Sequence, residues 1–192
     1  MAAYPMTPAT SIMNYFANAA GDLPIHFEQA EDEIAAVNMA LGASYAGLRS
    51  MTASSGGGFD LMTEGLSLAG ITETPLVVML AQRPGPSTGL PTRTEQGDLN
   101  LLVHAGHGEF SRIIFAPGTI TEAIEIARDA FDLADALQCP VLILTDQYLA
   151  DSIQTVEHEL PLSIRRRNGQ PYDETYRRYA LTEDGLSPLT YP

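Results

Sequence analysis

Short runs of leucine and β-branched residues recur along most of the chain, separated by longer stretches whose apolar residues fall at helical spacing. Runs of the first kind suit strands buried on both faces. Their alternation with amphipathic segments is the pattern of a mostly parallel sheet covered by helices on both sides. The predicted strands are Ile25–Glu28, Ser50–Ser54, Leu76–Ala81, Arg112–Ala116 and Val141–Thr145. The first predicted helix opens at Thr7-Pro8, a hydroxyl cap followed by proline at the first helical position, and stops at Gly21. A second runs from Glu31 to Tyr45, with Ile34, Val37, Leu41 and Tyr45 on one stripe before Gly47. A third covers Phe59 to Ile71. The fourth, Thr121 to Leu137, starts with Glu122 and Glu125 and carries an apolar face through Ile124, Ala127, Phe131 and Ala134. No internal repeat of fixed period is present.

These elements predict one three-layer α/β domain over residues 1–152. After Ser152 the periodicity fades, and residues 153–192 read as an extended tail or linker toward a further domain, holding half of the chain's 10 basic residues. The ends read as those of an excised piece. Met1-Ala2-Ala3 is expected to lead straight into a turn where such a sheet would begin with a strand, and Tyr191-Pro192 closes nothing.

Composition narrows the function classes. The 192 residues are 45% hydrophobic and 18% charged, enough apolar side chain for a sizeable core. A net charge of -14 repels phosphate backbones, which argues against nucleic-acid binding. The single cysteine, Cys139, excludes a disulfide framework and any cysteine-held cluster within the chain, and its place before an apolar run predicts a small core residue. No apolar run is long enough to span a bilayer and no signal pattern opens the chain, so a cytoplasmic location is expected.

Four segments carry candidate chemistry. In Tyr4-Pro5-Met6-Thr7-Pro8 two prolines fix the backbone around Thr7 at a helix start, where free amides suit an anion or a carbonyl oxygen; an ordinary capped helix is the alternative. In Glu31-Asp32-Glu33 the first two acids suit a helix N-terminus. Glu33 instead stands four residues before Val37 and eight before Leu41, aimed toward the apolar stripe. Desolvation there disfavours a bare carboxylate unless a partner restores its charge, the condition of an acid–base site or of a satisfied structural carboxylate.

The third segment, Ser54-Ser55-Gly56-Gly57-Gly58-Phe59, is a glycine-rich passage from strand into helix that lets backbone approach a ligand. It lacks the Gly-Lys-Ser/Thr of a P-loop and the spacing of a dinucleotide fingerprint. The fourth is the long loop Arg83 to Gln96, where Arg93 between Thr92 and Thr94 is either a solvated charge or a carboxylate clamp. His104 and His107 share a helical face at three-residue spacing, yet no third ligand accompanies them, so no metal site is assigned. The glycine of GASYAG stands one place too late for a serine nucleophile elbow.

Taken in order and spacing, YPMTPATSI, EDEIAAVNMALGASYAG, TASSGGGFDLMTEGLSLAGITETPLVV, GPSTGLPTRTEQGDL and ILTDQYLADS resemble the alpha subunit of 2-oxoacid:ferredoxin oxidoreductases, and most of all its 2-oxoglutarate type. The tail phrase RRYALTEDGLSP is similar to the stretch that follows the family's pyrimidine-binding domain. Relative to that family, the segment preceding Tyr4 and the domain following Pro192 are expected to be missing.

The resemblance implies thiamine diphosphate held between two domains: the aminopyrimidine on this one, and the diphosphate with Mg²⁺ on a beta subunit that also carries an iron–sulfur cluster. Glu33 matches the glutamate that hydrogen-bonds the pyrimidine nitrogen and favours the imino tautomer, which removes the thiazolium C2 proton. The cofactor supplies the decarboxylation chemistry, electrons pass to ferredoxin, and coenzyme A takes the acyl group. Tyr4, Pro5, Ser55 and Gly56 match cofactor-binding positions, and Thr7 and Arg93 match positions that hold the 2-oxoacid. Gly57 departs from the family, which commonly has proline there. The chain has neither a Gly-Asp-Gly…Asn diphosphate motif nor a cysteine set. On this reading it is inactive alone. A pyrimidine domain of a non-oxidative thiamine enzyme is the alternative, against which GLPTRTEQGD counts. A non-catalytic oligomerisation domain is another, disfavoured by the presence of Glu33, Thr7 and Arg93 together.

Overall fold

The computed structural model describes residues 1–156, 169 and 171–190. A four-stranded sheet forms its centre, built from β3 (Met51–Ser54), β4 (Leu76–Gln82), β5 (Ile113–Phe115) and β6 (Pro140–Asp146). All its pairings are parallel, in the order β3-β4-β6-β5. A second, two-stranded parallel sheet joins β1 (Ala2–Ala3) to β2 (Glu28–Gln29). The helices are α1 (Thr10–Ala19), α2 (Glu33–Tyr45), α3 (Gly56–Ile71), α4 (Leu99–His104), α5 (Ile120–Leu137) and α6 (Gln147–Ala150).

Strands β4 and β6 are buried along their whole length, so alternate side chains serve two cores. Leu76, Val78, Leu80, Leu142 and Leu144 pack against α2, α3 and α4 through Val37, Leu41, Phe59, Met62, Leu66 and Leu102. Val77, Met79, Ala81, Val141 and Ile143 turn the other way, toward Ala130 and Ala134 of α5 and partly buried Ile12 and Phe16 of α1. This is the expected three-layer architecture, and all five predicted strands and four predicted helices have counterparts. Cys139 is buried at the start of β6, and burial raises its pKa.

The differences have local causes. Ala2–Ala3 is a strand, not the lead-in to a turn: Glu28 and Ala30 donate backbone N–H to Met1 and Ala3, which also moves β2 toward Gln29. Helix α1 starts at Thr10 behind Ala9, which offers no side-chain cap, while Thr7 and Pro8 lie in the turn before it. Asp32 caps α2 by accepting the Ala35 amide at 2.7 Å, so that helix begins at Glu33. Its buried stripe is Glu33, Ala36, Val37, Ala40, Leu41 and Ser44; Ile34 and Tyr45 are exposed. Small alanines, not the largest apolar residues, mark the side packed closest.

Helix α5 is rotated from the predicted face for the same reason. Ala130 and Ala134 are buried with Ile126 and Leu133 beside them, whereas Ile124 and Ala127 are exposed. The described part of the tail, residues 171–190, lies against the domain. Arg178 donates to the carbonyls of Thr72 (3.1 Å) and Glu73 (2.9 Å) at the C-terminal end of α3, and Gln138 donates to Ser187 at 2.6 Å. Positions 157–168, 170, 191 and 192 of the expected tail lie outside the described residues. Among the described residues no helix is long and apolar enough to cross a membrane.

Leu142 is fully buried at the middle of β6. Leu142→Ala should lower unfolding free energy by about 2–5 kcal/mol, read as an earlier urea midpoint at unchanged slope.

Candidate functional site

In an open parallel sheet the backbone leaves every strand at the same end, and the loops there form the crevice in which α/β proteins bind ligands. Tyr4, Glu33, Ser55, Arg83 and Gln147 all follow strands at that end. At its centre is Glu33. As the first residue of α2 it is only 2% exposed, and the Ser54 hydroxyl donates to its Oε1 at 3.1 Å. The carboxylate is therefore buried and partnered, the condition set for it by its place on the apolar stripe.

What makes room for it is Gly58, in the first turn of α3. A Cβ there would overlap Glu33 Oε1 and Ser54 Oγ. The three consecutive glycines are helical, not a loop before a helix starting at Phe59, and each glycine costs roughly 1 kcal/mol against alanine in a helix interior. Each meets a neighbour instead. A Cβ on Gly57 would lie 3.0 Å from the Ser87 carbonyl, and one on Gly56 2.7 Å from Asp98 Oδ2. Ser55 caps the helix by position but makes no side-chain cap bond; it is fully buried and its hydroxyl has no partner. An orphaned buried hydroxyl beside free helix amides is a feature that a polar ligand atom would satisfy.

Arg83 is the residue the sequence reading missed. It follows β4 directly and is 7% exposed, and its Nη1 donates to the Thr7 carbonyl at 2.7 Å. Burial lowers the Arg83 pKa, opposed by the charge of Glu33 close by. The guanidinium thus holds the Tyr4–Pro8 segment and places a positive charge near the buried carboxylate. An arginine closing a seven-residue buried strand at the ligand-binding end was the signal available for it. Ser54 stood at the head of the glycine-rich candidate segment, but its bond to Glu33 was not foreseen.

The structure gathers Glu33, Ser54, Ser55, Gly56, Gly58, Arg83 and Thr7 around the first turn of α3. Tyr4 is half-buried; Pro5 and the Thr7 side chain are exposed. Arg93 stands apart. It is exposed and shares an open groove with Thr92, Thr94 and the α6 residues Gln147 and Tyr148. Helix α4 ends at His104, and His107 lies beyond Gly106 with its positive φ of 82°, so the two histidines share no helical face. A cavity of about 770 Å³, lined by Met1, Phe16, Ile25, Met39 and Phe131 among others, lies at the opposite, amino ends of the strands.

Fold and site together define an α/β domain with a ligand crevice at the carboxyl ends of its parallel strands. The model of the pyruvate flavodoxin/ferredoxin oxidoreductase thiamine diphosphate-binding family matches residues 1–189, and the chain belongs to that family. The alpha subunit of 2-oxoacid:ferredoxin oxidoreductase 1 from Sulfurisphaera tokodaii is 48% identical over 168 residues, 85% of this chain and 27% of its own. The 2-oxoglutarate synthase subunit KorA of Methanocaldococcus jannaschii is 36% identical over 195 residues, 97% of this chain and 53% of its own. The chain thus spans about a quarter to a half of these curated relatives.

Among solved structures, 2-oxoglutarate:ferredoxin oxidoreductase from Magnetococcus marinus, with 2-oxoglutarate, coenzyme A and succinyl-CoA bound, superposes with a TM-score of 0.94. It is 46% identical, and the match covers 100% of this chain and 34% of that one. Benzoylformate decarboxylase from Polynucleobacter necessarius shares the fold at 15% identity, with a TM-score of 0.60 over 88% of this chain and 31% of that one.

Two glycine substitutions test the packing argument with opposite signs. Gly42 lies exposed within α2 with nothing near a built Cβ, so Gly42→Ala should stabilise by about 0.5–1 kcal/mol. Gly58→Ala, crowding Glu33 and Ser54, should destabilise by roughly 1–3 kcal/mol. Thermal melts of the two variants against wild type check both.

Proposed function

We propose that this chain holds the aminopyrimidine end of thiamine diphosphate in the alpha subunit of a 2-oxoacid:ferredoxin oxidoreductase, with 2-oxoglutarate the favoured substrate. The observation that carries the reading is Glu33, buried at the ligand-binding end of the sheet, bonded to Ser54 and seated against Gly58. A partner beta subunit supplies the diphosphate and Mg²⁺ site and an iron–sulfur cluster, and ferredoxin and coenzyme A complete the reaction. The relatives named above, and the 2-oxoglutarate and coenzyme A bound in the Magnetococcus marinus structure, support that assignment. Residues 1–152 form the binding domain, and residues 153–192 are its tail, which where described at 171–190 lies against the domain.

The residues present fit the cofactor. When bound, thiamine diphosphate supplies the carbanion chemistry at its thiazolium C2. Glu33 holds a proton at the pyrimidine ring nitrogen, and burial keeps water from competing for it. Tyr4 and Pro5 line the approach, and Ser55 Oγ with the amides of Gly56 and its neighbours offers donors to the ring's polar edge. Thr7 and the two arginines receive the 2-oxoacid. Arg83 forms the floor beside Glu33, with one nitrogen already fixed on Thr7, and Arg93 approaches from the exposed loop.

Glu33→Gln keeps size and helix propensity but removes the acidic proton. Hydrogen–deuterium exchange at C2 of thiamine diphosphate bound to the assembled complex should slow by roughly 10²–10⁴-fold, with little change in melting temperature. Equal exchange in the two proteins would show that Glu33 is structural. In the same complex Arg93→Ala should raise KM for the 2-oxoacid about ten- to a hundred-fold, the loss expected for one charge-assisted contact. Unchanged KM for every 2-oxoacid tried removes Arg93 from the substrate site and leaves Arg83 as its cation.

A further inference from the structure

The loop between β4 and α4 carries Thr92, Arg93 and Thr94, and its residues from Ser87 through Gly97 are almost all exposed. A loop of this length needs anchors if those three side chains are to stand in one place. The near end has one: the Ser87 carbonyl rests over Gly57. The far end is held more heavily. The Asp98 amide donates to Gln82 Oε1 at 2.9 Å, and Gln96 donates to Asp146 Oδ2 at 2.6 Å. Gln82 and Asp146 are themselves buried, register partners on adjacent strands. Asp146 is fixed further by accepting the Leu149 amide.

The remaining contact at that end is the Asp98 carboxyl, seated against Gly56 at the start of α3. Its Oδ2 is buried with no hydrogen-bond partner, and the helix-capping residue Ser55 leaves the first turn without a side-chain cap. A side chain at position 56 would push the Asp98 carboxyl out of this seat. Burial raises the Asp98 pKa, and the charges of Asp60 on α3 and Glu95 on the loop act in the same direction. The seat therefore makes the carboxyl harder to ionise than a free one, and asparagine reproduces its shape without the charge.

We propose that Asp98 is a positioning residue whose carboxyl, docked on Gly56, latches the β4–α4 loop to α3 and so sets where Thr92, Arg93 and Thr94 meet the 2-oxoacid. The last part rests on the function proposed above; the latch itself does not. Glycine at 56 is accordingly a landing place for the loop, in addition to any contact it makes with cofactor.

Two measurements separate the latch from its use. On the full 192-residue chain, hydrogen–deuterium exchange of the amides between Arg83 and Asp98 reports loop opening directly. Asp98→Ala should lower their protection about tenfold while β4 and β6 stay protected. Gly56→Ala should do the same by displacing the carboxyl, and Asp98→Asn should retain wild-type protection. In the assembled complex Asp98→Ala should raise the 2-oxoacid KM roughly tenfold with kcat within about twofold, and Asn should restore KM. Unchanged loop protection in both Asp98→Ala and Gly56→Ala overturns the latch, as does loss of protection in Asp98→Asn equal to that in Ala. A loosened loop with unchanged KM overturns the positioning role. A wild-type complex that oxidises no 2-oxoacid sinks the proposed function, leaving the latch to be decided by exchange alone.

Discussion

A carboxylate buried at the first residue of one helix, against a residue of another helix that has no side chain, is the constraint around which this domain is arranged. Glu33 cannot be solvated where it sits, so it needs Ser54 and the nearby charge of Arg83. It cannot be packed there unless position 58 is glycine. The closeness of α2 and α3 follows from the same requirement, since Ala36 and Ala40 are buried on one helix and Gly65 on the other meets Val37. The binding end of the sheet and the helix packing are thus one problem with one solution.

Charge at this end is distributed with economy. A chain of net charge -14 keeps one arginine, Arg83, in the crevice and a second, Arg93, on the loop above. Away from the crevice, Arg49 binds Asp132 and Asp135, both at 2.8 Å, Arg112 holds the carbonyls of Leu102 and Ala105 beyond α4, and Arg178 closes the end of α3. These three cations are committed to structural contacts rather than to the crevice.

The layers, the parallel sheet and the role of Glu33 as a buried helix-start carboxylate were legible in the sequence because periodicity and strand composition report burial directly. Helix faces were less so. Ile34, Tyr45 and Ile124 look like core by size, but close helix–sheet contact selects alanine, and size alone does not report distance. The start of α3 was hidden because glycines depress helix propensity, and their compensation comes from Ser87, Asp98 and Glu33, all remote in sequence. Arg83 was hidden for the converse reason: its partner Thr7 and the nearby charge of Glu33 are set by strand order, which local pattern does not encode. The family resemblance carried the assignment where local signals were weak.

The strand order has a consequence for how the domain is made. β4 occupies the interior of the sheet, but of its two neighbours only β3 precedes it; β6 follows after the loop, α4, β5 and α5. During synthesis β4 must therefore wait with one edge unpaired until β6 leaves the ribosome. The C-terminal end of helix α3 waits longer, because the Arg178 that binds the Thr72 and Glu73 carbonyls just past it is made after β6. Contacts so distant along the polypeptide are slow to form, and an exposed strand edge invites pairing with other chains in the interval. The crevice matures late for the same reason, since α6 and Asp146, on which Gln96 rests, emerge with β6.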